Sequence, residues 1–195
     1  MPKRVFIALL LGMVAAPSWA DPPTRAADPG QPSKEGAKMD FVLSTPAFSN
    51  GAAIPVKHTC DGTDRSPELH WTQPPAGTKS LALIVDDPDA PVGDWVHWVL
   101  YDVPASVRSL QEEMATSGRL ESPAGARQGR NDFGKLGWGG PCPPPGKPHR
   151  YFFRLYALDR VLDLEPGATK AGVERSMKGH VLAEAELYGT YARRR

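Results

Sequence analysis

The sequence predicts a mainly β fold, an antiparallel β-sandwich of two sheets with one late C-terminal helix and long Gly/Pro-rich loops. Short apolar segments recur along the chain and are separated by turns rich in proline and glycine, as in all-β domains. Only the segment 168–180 combines apolar or small residues at helical spacing with a polar side. The chain has no internal repeat.

The first 20 residues predict a signal peptide for export. Lys3 and Arg4 form its positive n-region, residues 5–16 form its apolar core, and Ser18-Trp19-Ala20 fits a small-x-small cleavage site. The apolar run is shorter than the roughly 18 residues that a transmembrane helix needs. We therefore expect a periplasmic or secreted protein without a stable membrane anchor, and the alternative is a retained N-terminal anchor.

Residues 21–38 predict a disordered lead-in, because the segment is rich in proline, glycine and charge and has no large apolar side chain to bury. A single domain of ordinary size follows from 39 to 192. Cleavage of the signal peptide leaves 21 of the 23 basic residues against 22 acidic ones. This nearly neutral balance argues against a nucleic-acid partner, whose phosphates require clustered Lys and Arg.

The domain begins with two apolar segments, 41–48 and 53–60, separated by the hairpin signal Ser49-Asn50-Gly51. The alternating segment 68–72 predicts another short strand. Residues 80–85 are nearly all apolar without strict alternation, which is typical of a strand covered on both faces.

The strand predicted at 95–103 is rich in β-branched and aromatic residues and stops at Pro104. Pro88 and Pro91 in the preceding connection fix φ, which predicts a rigid loop able to hold side chains for a ligand. Period-two alternation gives the strand two faces. One face holds Val96, Trp98 and Leu100, and the other holds Trp95, His97, Val99 and Tyr101.

Residues 106–121 predict a polar connection with a helical turn. The Gly/Pro-rich stretch 125–147 is unusually long for a loop in a compact domain, and its apolar side chains predict an ordered surface loop. A strongly alternating strand is expected at 151–158, followed by the helix and a last strand at 181–191. The side chains that we expect to hold the loop are Phe133, Leu136 and Trp138, and those sharing one face of the last strand are Ala183, Ala185, Leu187 and Tyr191.

The only two cysteines, Cys60 and Cys142, lie in turn-rich sequence. In an exported protein such a pair predicts a disulfide, and the alternative is two reduced, unlinked cysteines. Zinc sites need four ligands at characteristic spacing, and the sequence has no CxxC or HxxxH motif. We expect no metal and no cofactor.

Candidate site residues form two clusters at strand ends, Asp87, Asp89 and His97 in one and His149 and Arg150 in the other. Paired carboxylates suit glycosidases, Asp and His can hold a catalytic metal, and His, Arg and backbone N–H groups can bind a phosphate-like anion. No zinc motif supports a metal, and a small domain hardly provides a sugar cleft. A G-x-S-x-G nucleophile motif is absent as well.

The sequence around these clusters contains D-P-D-A-P before a Trp/His strand, G-R-N-D-F-G followed by G-W-G-G-P-C-P-P, and G-x-P-H-R-Y. It also contains T-C-D-G followed by S-P-E-L-x-W upstream, and L-x-G-x-Y near its end. Together these motifs resemble the phosphatidylethanolamine-binding protein family, in particular its bacterial Raf kinase inhibitor-like branch. The resemblance covers 41–191.

The resemblance implies a sandwich of two antiparallel sheets with a small surface pocket for phosphate, phosphoryl headgroups or acetate-like anions. Eukaryotic members of the family bind lipid headgroups and regulate kinases or proteases by steric contact. The residues that match the two binding regions of the family are Asp87, Asp89, Pro91, His97, Gly146, His149, Arg150 and Tyr151.

Two ionised carboxylates repel a phosphate, so Asp87 and Asp89 are not expected to be simple anion ligands. We hypothesise that Asp87 accepts a hydrogen bond from a protonated phosphate oxygen or a headgroup amine, and that Asp89 orients Arg150 or the loop backbone. His97 and His149 would donate to the anion, with an affinity that rises as the pH falls toward 6.

We therefore expect an exported, non-catalytic binding protein for a small anionic or phosphoryl ligand, either phospholipid-like or phosphorylated. Its possible partner is a protein of the cell envelope whose activity it modulates. One alternative is a hydrolase in which an Asp/His pair activates water. The other is an inhibitor of an exported protease that uses the rim of the pocket.

Overall fold

Two antiparallel sheets share one hydrophobic core in the part of the chain that the structure describes, residues 40–193 of this computed structural model. This arrangement confirms the predicted mainly β sandwich. The smaller sheet has the strand order β1 (Leu43–Ser44), β2 (Leu69–Trp71) and β5 (Ser109–Leu110). The larger sheet has the order β6 (Arg127–Gln128), β4 (Trp95–Pro104), β3 (Ser80–Asp87), β7 (His149–Leu158) and β8 (Val181–Tyr191).

The predicted signal peptide (1–20) and disordered lead-in (21–38) lie outside the described residues. Within 40–193, no helix combines the length and the hydropathy that crossing a membrane requires.

Strand β3 is the central strand of the larger sheet, and all eight of its residues are buried. Leu81 and Leu83 face the core between the sheets, whereas Ala82 and Ile84 face a second apolar cluster on the other side. Helix α1 (Lys170–Met177) contributes to that second cluster and begins at Thr169, whose hydroxyl accepts a hydrogen bond from the Gly172 N–H. The expectation of a strand covered on both faces is therefore confirmed.

Strand β4 does not keep the strict alternation that its sequence predicts. Val85 of β3 pairs with Trp98 and Asp86 pairs with Val96, so His97 is an extra residue in a β-bulge. The bulge moves Val96 into the helix-side cluster with Val99, while Trp98 stays in the core between the sheets. The predicted sharing of one face by Val96 and Trp98 was wrong because a bulge resets the alternation.

Two local predictions near the edges of the fold were also wrong. Segments 41–48 and 53–60 do not pair as a hairpin, because Gly51 and Ile54 donate backbone hydrogen bonds to β8 instead and residues Val56–His58 form a 3-10 helix. The stretch 106–121 contains β5 rather than a helical turn. The backbone groups of both segments form hydrogen bonds with strands that are distant in sequence. Local sequence patterns do not reveal such partners.

The long stretch 125–147 is ordered and begins with the edge strand β6. Trp138 anchors it in the core, where its ring contacts Trp98 edge-on and stacks on Phe153. Cys60 and Cys142 form the predicted disulfide, with Cα atoms 5.4 Å apart, and the Cys60 N–H donates to the carbonyl of Pro141. Two anchors thus hold this loop against one end of the larger sheet.

Candidate functional site

The antiparallel pairing of β3 and β7 brings the two predicted clusters together, since β3 ends where β7 begins. Nδ1 of His149 lies 2.8 Å from Oδ2 of Asp87. Because an ionised carboxylate only accepts hydrogen bonds, this nitrogen carries the proton. The other Asp87 oxygen accepts from the Asp89 N–H at 2.8 Å, so the buried carboxylate has two donors.

A second acidic residue of the same loop holds Arg150. Asp89 accepts three hydrogen bonds from it, one from the backbone N–H at 2.9 Å and two from the guanidinium at 2.8 and 2.7 Å. These bonds lower the pKa of Asp89 to about 2. The pair therefore stays ionised at any pH near neutrality.

His97 is buried, and its Nδ1 lies 2.5 Å from the carbonyl oxygen of Gly139. A carbonyl only accepts, so Nδ1 is protonated and Nε2 is the nitrogen left for a ligand. Burial lowers the pKa of His97, although the Gly139 carbonyl and the Asp87 charge act in the opposite direction. The ring is therefore neutral near pH 7 and is held edge-on by Phe133 and Tyr151.

Asp64 positions His97 indirectly and was missed in the sequence. Its Oδ1 accepts from the Gly140 N–H at 2.7 Å, and that N–H belongs to the same peptide group as the Gly139 carbonyl. A Cβ atom on Gly140 would lie 2.4 Å from this carboxylate oxygen, so only glycine fits. In the sequence, Asp64 lies between the T-C-D-G and S-P-E-L-x-W motifs, but nothing there indicates its contact with Gly140.

A cavity of about 290 Å³ opens beside these residues. Its polar groups are Asp87, His97 and His149, and the remaining walls are mostly apolar. These walls are formed by Ala90, Pro91, Val92, Trp95, Phe133, Cys142, Pro143 and Pro144. Sequence reasoning missed Phe133, Pro143 and Pro144 as site residues, because loop contacts leave no periodic signal.

Half of the predicted binding residues line this cavity and half lie next to it. Asp87, Pro91, His97 and His149 form its wall. The other four are close but outside the wall, since Asp89 and Arg150 bind each other, Gly146 precedes β7 and Tyr151 is buried under His97. Among residues 40–193, no three His, Cys, Asp or Glu side chains are grouped closely enough to hold a metal ion.

Comparison with known proteins decides the family. The family model described as "Phosphatidylethanolamine-binding protein" matches residues 44–192. The chain belongs to this family. The resemblance expected from the D-P-D-A-P and G-x-P-H-R-Y motifs is therefore confirmed.

Relatives of this phosphatidylethanolamine-binding protein family member occur in archaea and bacteria. A protein named UPF0098 from Methanothermobacter thermautotrophicus is 56% identical over 151 residues, which are 77% of this chain and 98% of the relative. A UPF0098 protein from Aquifex aeolicus is 49% identical over 163 residues, covering 83% of this chain and 92% of the relative.

Two crystal structures of family members have the same fold. A phosphatidylethanolamine-binding protein homologue from Chlamydia trachomatis superposes with a TM-score of 0.71 at 42% identity, covering 79% of this chain and 98% of that one. YbcL from E. coli, described as a member of the mammalian family, gives a TM-score of 0.74 at 36% identity, with coverages of 79% and 99%. The sandwich is thus a family fold.

Proposed function

We propose that this family member is a non-catalytic binding protein whose cavity holds a phosphate or a phosphoryl headgroup. One observation carries the proposal. The imidazoles of His97 and His149, 52 positions apart in sequence, line one cavity with Nδ1 engaged and Nε2 left for a ligand. The family name refers to a phospholipid with such a headgroup.

The two carboxylates of the loop do not prevent anion binding in this proposal. Asp87 is bonded to the His149 ring and to a backbone N–H, and Asp89 is bonded to Arg150. Each carboxylate therefore already accepts hydrogen bonds from protein donors, which reduces its repulsion of a bound anion. A phosphoryl oxygen that still carries a proton can approach Asp87 as a donor, as the sequence-based hypothesis requires.

The protonation state of the His97 ring sets the pH dependence of this function. A neutral ring protonated on Nδ1 presents a lone pair at Nε2, which repels an oxyanion. Protonation converts Nε2 into a charge-assisted donor. Anion binding therefore takes up protons, and the affinity rises as the pH falls.

The apolar wall of the cavity suits a ligand with an organic part beyond its phosphoryl group. Val92, Pro143 and Pro144 would contact carbon atoms rather than replace hydration around a free ion. A phospholipid-like or other phosphorylated ligand fits this lining better than phosphate alone. Export to the periplasm or medium remains part of the proposal, and the Cys60–Cys142 disulfide supports it because disulfides persist in oxidising compartments.

The test compares two His–Asp pairs with the same hydrogen-bond length. Calorimetry at pH 6 measures the affinity of phosphorylethanolamine for wild type, His149→Ala and His180→Ala. His180 also bonds an aspartate at 2.8 Å but lies outside the cavity. Loss of a charge-assisted hydrogen bond in His149→Ala should weaken binding by roughly 10- to 100-fold, with no change in His180→Ala. Equal affinities in all three proteins would refute the phosphoryl site.

The Asp87–His149 pair also favours a second candidate, a hydrolase. A carboxylate that orients a histidine with a free Nε2 is the arrangement of a general base that activates water. Wild type should then turn over phosphomonoesters or carboxylic esters, and His149→Ala should abolish the activity. Absence of turnover across both substrate panels, in a preparation that binds phosphorylethanolamine, excludes this candidate.

A further inference from the structure

The cavity wall formed by Pro143 and Pro144 belongs to a segment, residues 143–148, that is weakly bonded to the rest of the domain. In the part of the chain that the structure describes, no hydrogen bond is made to or from this segment. Four of its six residues are prolines, which have no N–H to donate. The position of the wall therefore depends on how the two ends of the segment are held.

The two ends of the segment are held in different ways. At its C-terminal end, strand β7 begins at His149, which pairs with Tyr191 of β8. At its N-terminal end, Cys142 is joined to Cys60 by the disulfide. The only hydrogen bond next to this link is the one that the Cys60 N–H donates to the Pro141 carbonyl at 3.1 Å. The disulfide is thus the last fixed point before the wall.

The region around Cys60 is firmly bonded without the disulfide. The buried Thr59 donates to the Val56 carbonyl through both its N–H and its hydroxyl. Asp61 accepts a hydrogen bond from the Tyr191 hydroxyl at 2.7 Å. These bonds remain when the disulfide is broken, so we expect the loss of structure to fall on the Cys142 side.

The disulfide is accessible to a reductant. Both cysteine residues are exposed, and both line a second cavity of about 730 Å³, while Cys142 also lines the phosphoryl cavity. A thiolate of a dithiol attacks one sulfur atom to form a mixed disulfide, which the second thiol of the reductant then resolves. Two electrons and two protons pass to the protein, which leaves two cysteine thiols and an oxidised reductant.

We propose that the Cys60–Cys142 disulfide is a redox switch for the phosphoryl cavity, and that its reduction by a dithiol releases the Pro143–Pro144 wall and weakens binding. The ligand in this inference rests on the function proposed above, whereas the hold of the disulfide on residues 143–148 rests only on the bonds of the loop. His97 keeps both of its hydrogen bonds to Gly139 in the reduced protein, so the imidazole itself stays in place.

Such a switch confines tight binding to an oxidising compartment. Disulfides persist in secreted and periplasmic proteins and are reduced by thiols inside the cell. A chain that is still reduced would therefore bind a phosphoryl ligand weakly, and oxidation after export would complete the wall. The ligand in turn should protect the disulfide from reduction, because two linked equilibria shift each other by the same factor.

The first test reads the wall without a ligand. Gly146 and Lys147 are the two residues of the segment that have an N–H, and their ¹H–¹⁵N nuclear Overhauser effects report fast motion. Dithiothreitol should lower these values and leave those of Gly139 and Gly140 unchanged. The double variant Cys60→Ser/Cys142→Ser should give the low values with or without dithiothreitol.

Two results of this test would overturn the switch. Unchanged values at Gly146 and Lys147 after complete reduction would mean that the disulfide does not hold the wall. A collapse of amide dispersion across the whole spectrum would mean that the disulfide stabilises the entire domain rather than one wall of the cavity.

The second test measures binding. Calorimetry at pH 6 compares the affinity of phosphorylethanolamine for the oxidised protein, the reduced protein and the double serine variant. The last two should bind about five- to tenfold more weakly, as expected if the wall is in place about a tenth to a fifth of the time. In a dithiothreitol redox buffer, saturating phosphorylethanolamine should favour the disulfide by the same factor.

The outcomes separate the switch from the phosphoryl function. Equal affinities of the oxidised and reduced proteins, or tighter binding by the reduced protein, would overturn the switch and leave the phosphoryl site intact. If neither form binds phosphorylethanolamine while reduction still loosens Gly146 and Lys147, the phosphoryl function fails and the redox control of the segment stands.

Discussion

Two His–Asp pairs stand at opposite ends of strand β7 and share the same bond length. At its start, Nδ1 of His149 lies 2.8 Å from Asp87, and just past its end, Asp159 lies 2.8 Å from Nδ1 of His180. The side chains of the first pair are 13% and 4% exposed, whereas those of the second are 37% and 45% exposed. The residue types and the hydrogen-bond length are the same, and the exposure of the side chains differs.

The second ring nitrogen explains what each pair can do. In His180, Nε2 lies 3.3 Å from a guanidinium nitrogen of Arg160, so both nitrogens have protein neighbours. In His149, no described protein group bonds to Nε2, and the ring lines a cavity. A His–Asp pair can therefore take part in binding when its side chains are largely buried and Nε2 has no protein partner. When the pair is exposed and Nε2 is engaged, it is only a surface contact.

The largest expected contrast between the pairs is in stability. His149→Ala leaves the Asp87 carboxylate buried without its ring partner, which should cost about 3 kcal/mol of unfolding free energy. His180→Ala removes an exposed pair, for which about 1 kcal/mol or less is expected. Urea denaturation at pH 7 measures both values.

A double variant shows whether the loss of stability in His149→Ala comes from the buried charge of Asp87. Replacing the carboxylate as well, in Asp87→Asn combined with His149→Ala, should restore part of the lost stability because no charge then remains buried. A similar loss of unfolding free energy in His149→Ala and His180→Ala would mean that the difference in burial has no energetic consequence. The proposed contrast between the two pairs would then be wrong.

The next contrast is the pH dependence of phosphoryl binding. Burial lowers the pKa of His97, so the free protein carries a neutral ring at pH 7 and must bind a proton when it binds an oxyanion. Affinity should therefore rise by up to about tenfold per pH unit between pH 8 and 6, for each proton taken up. Asp89, with a pKa of about 2, stays paired with Arg150 throughout and adds no slope.

Calorimetry with phosphorylethanolamine at several pH values measures this slope in wild type and in His180→Ala. The two proteins should give the same curve, since the surface pair does not meet the ligand. An affinity that increases with pH would contradict the proposed role of the imidazoles, whatever the stability data show.

The sequence predicted the strands that carry the site because their patterns are strong. Residues 80–85 and 151–158 lie within β3 and β7 as expected, and the helix predicted at 168–180 contains the shorter α1. Apolar content and alternation determine such elements locally. The antiparallel pairing of β3 with β7 then brings Asp87 near His149, although neither residue reports this contact by itself.

The parts of the site that the sequence did not predict depend on irregular backbone or on distant loops. The bulge at His97 reverses the face assigned to Val96, and bulges have no reliable local signal. The Asp64–Gly140 contact joins residues 76 positions apart through a loop hydrogen bond. Nor does sequence distinguish His149, whose side chain is largely covered, from the more exposed His180, since both are histidines near strand ends with an aspartate partner.

The smallest expected effect concerns the charge behind His97. Asp64→Asn keeps an oxygen for the Gly140 N–H but removes a negative charge that helps to hold the proton on His97. The pKa of His97 should then fall further, so phosphoryl binding at pH 7.5 should weaken by about threefold, on the scale of a modest electrostatic interaction. Calorimetry at several pH values measures this loss of affinity, the deficit of Asp64→Asn relative to wild type.

The pH profile of that deficit separates charge from shape. If Asp64 acts through its charge, the deficit should shrink as the pH falls, because the ring becomes protonated in both proteins. A deficit of equal size at every pH would mean instead that the substitution displaces the Gly139–Gly140 peptide group. In that case a carboxylate would influence phosphoryl binding only where it bonds the imidazole directly, as Asp87 bonds His149. The charge of a carboxylate without such a contact, as in Asp64, would have no effect on binding.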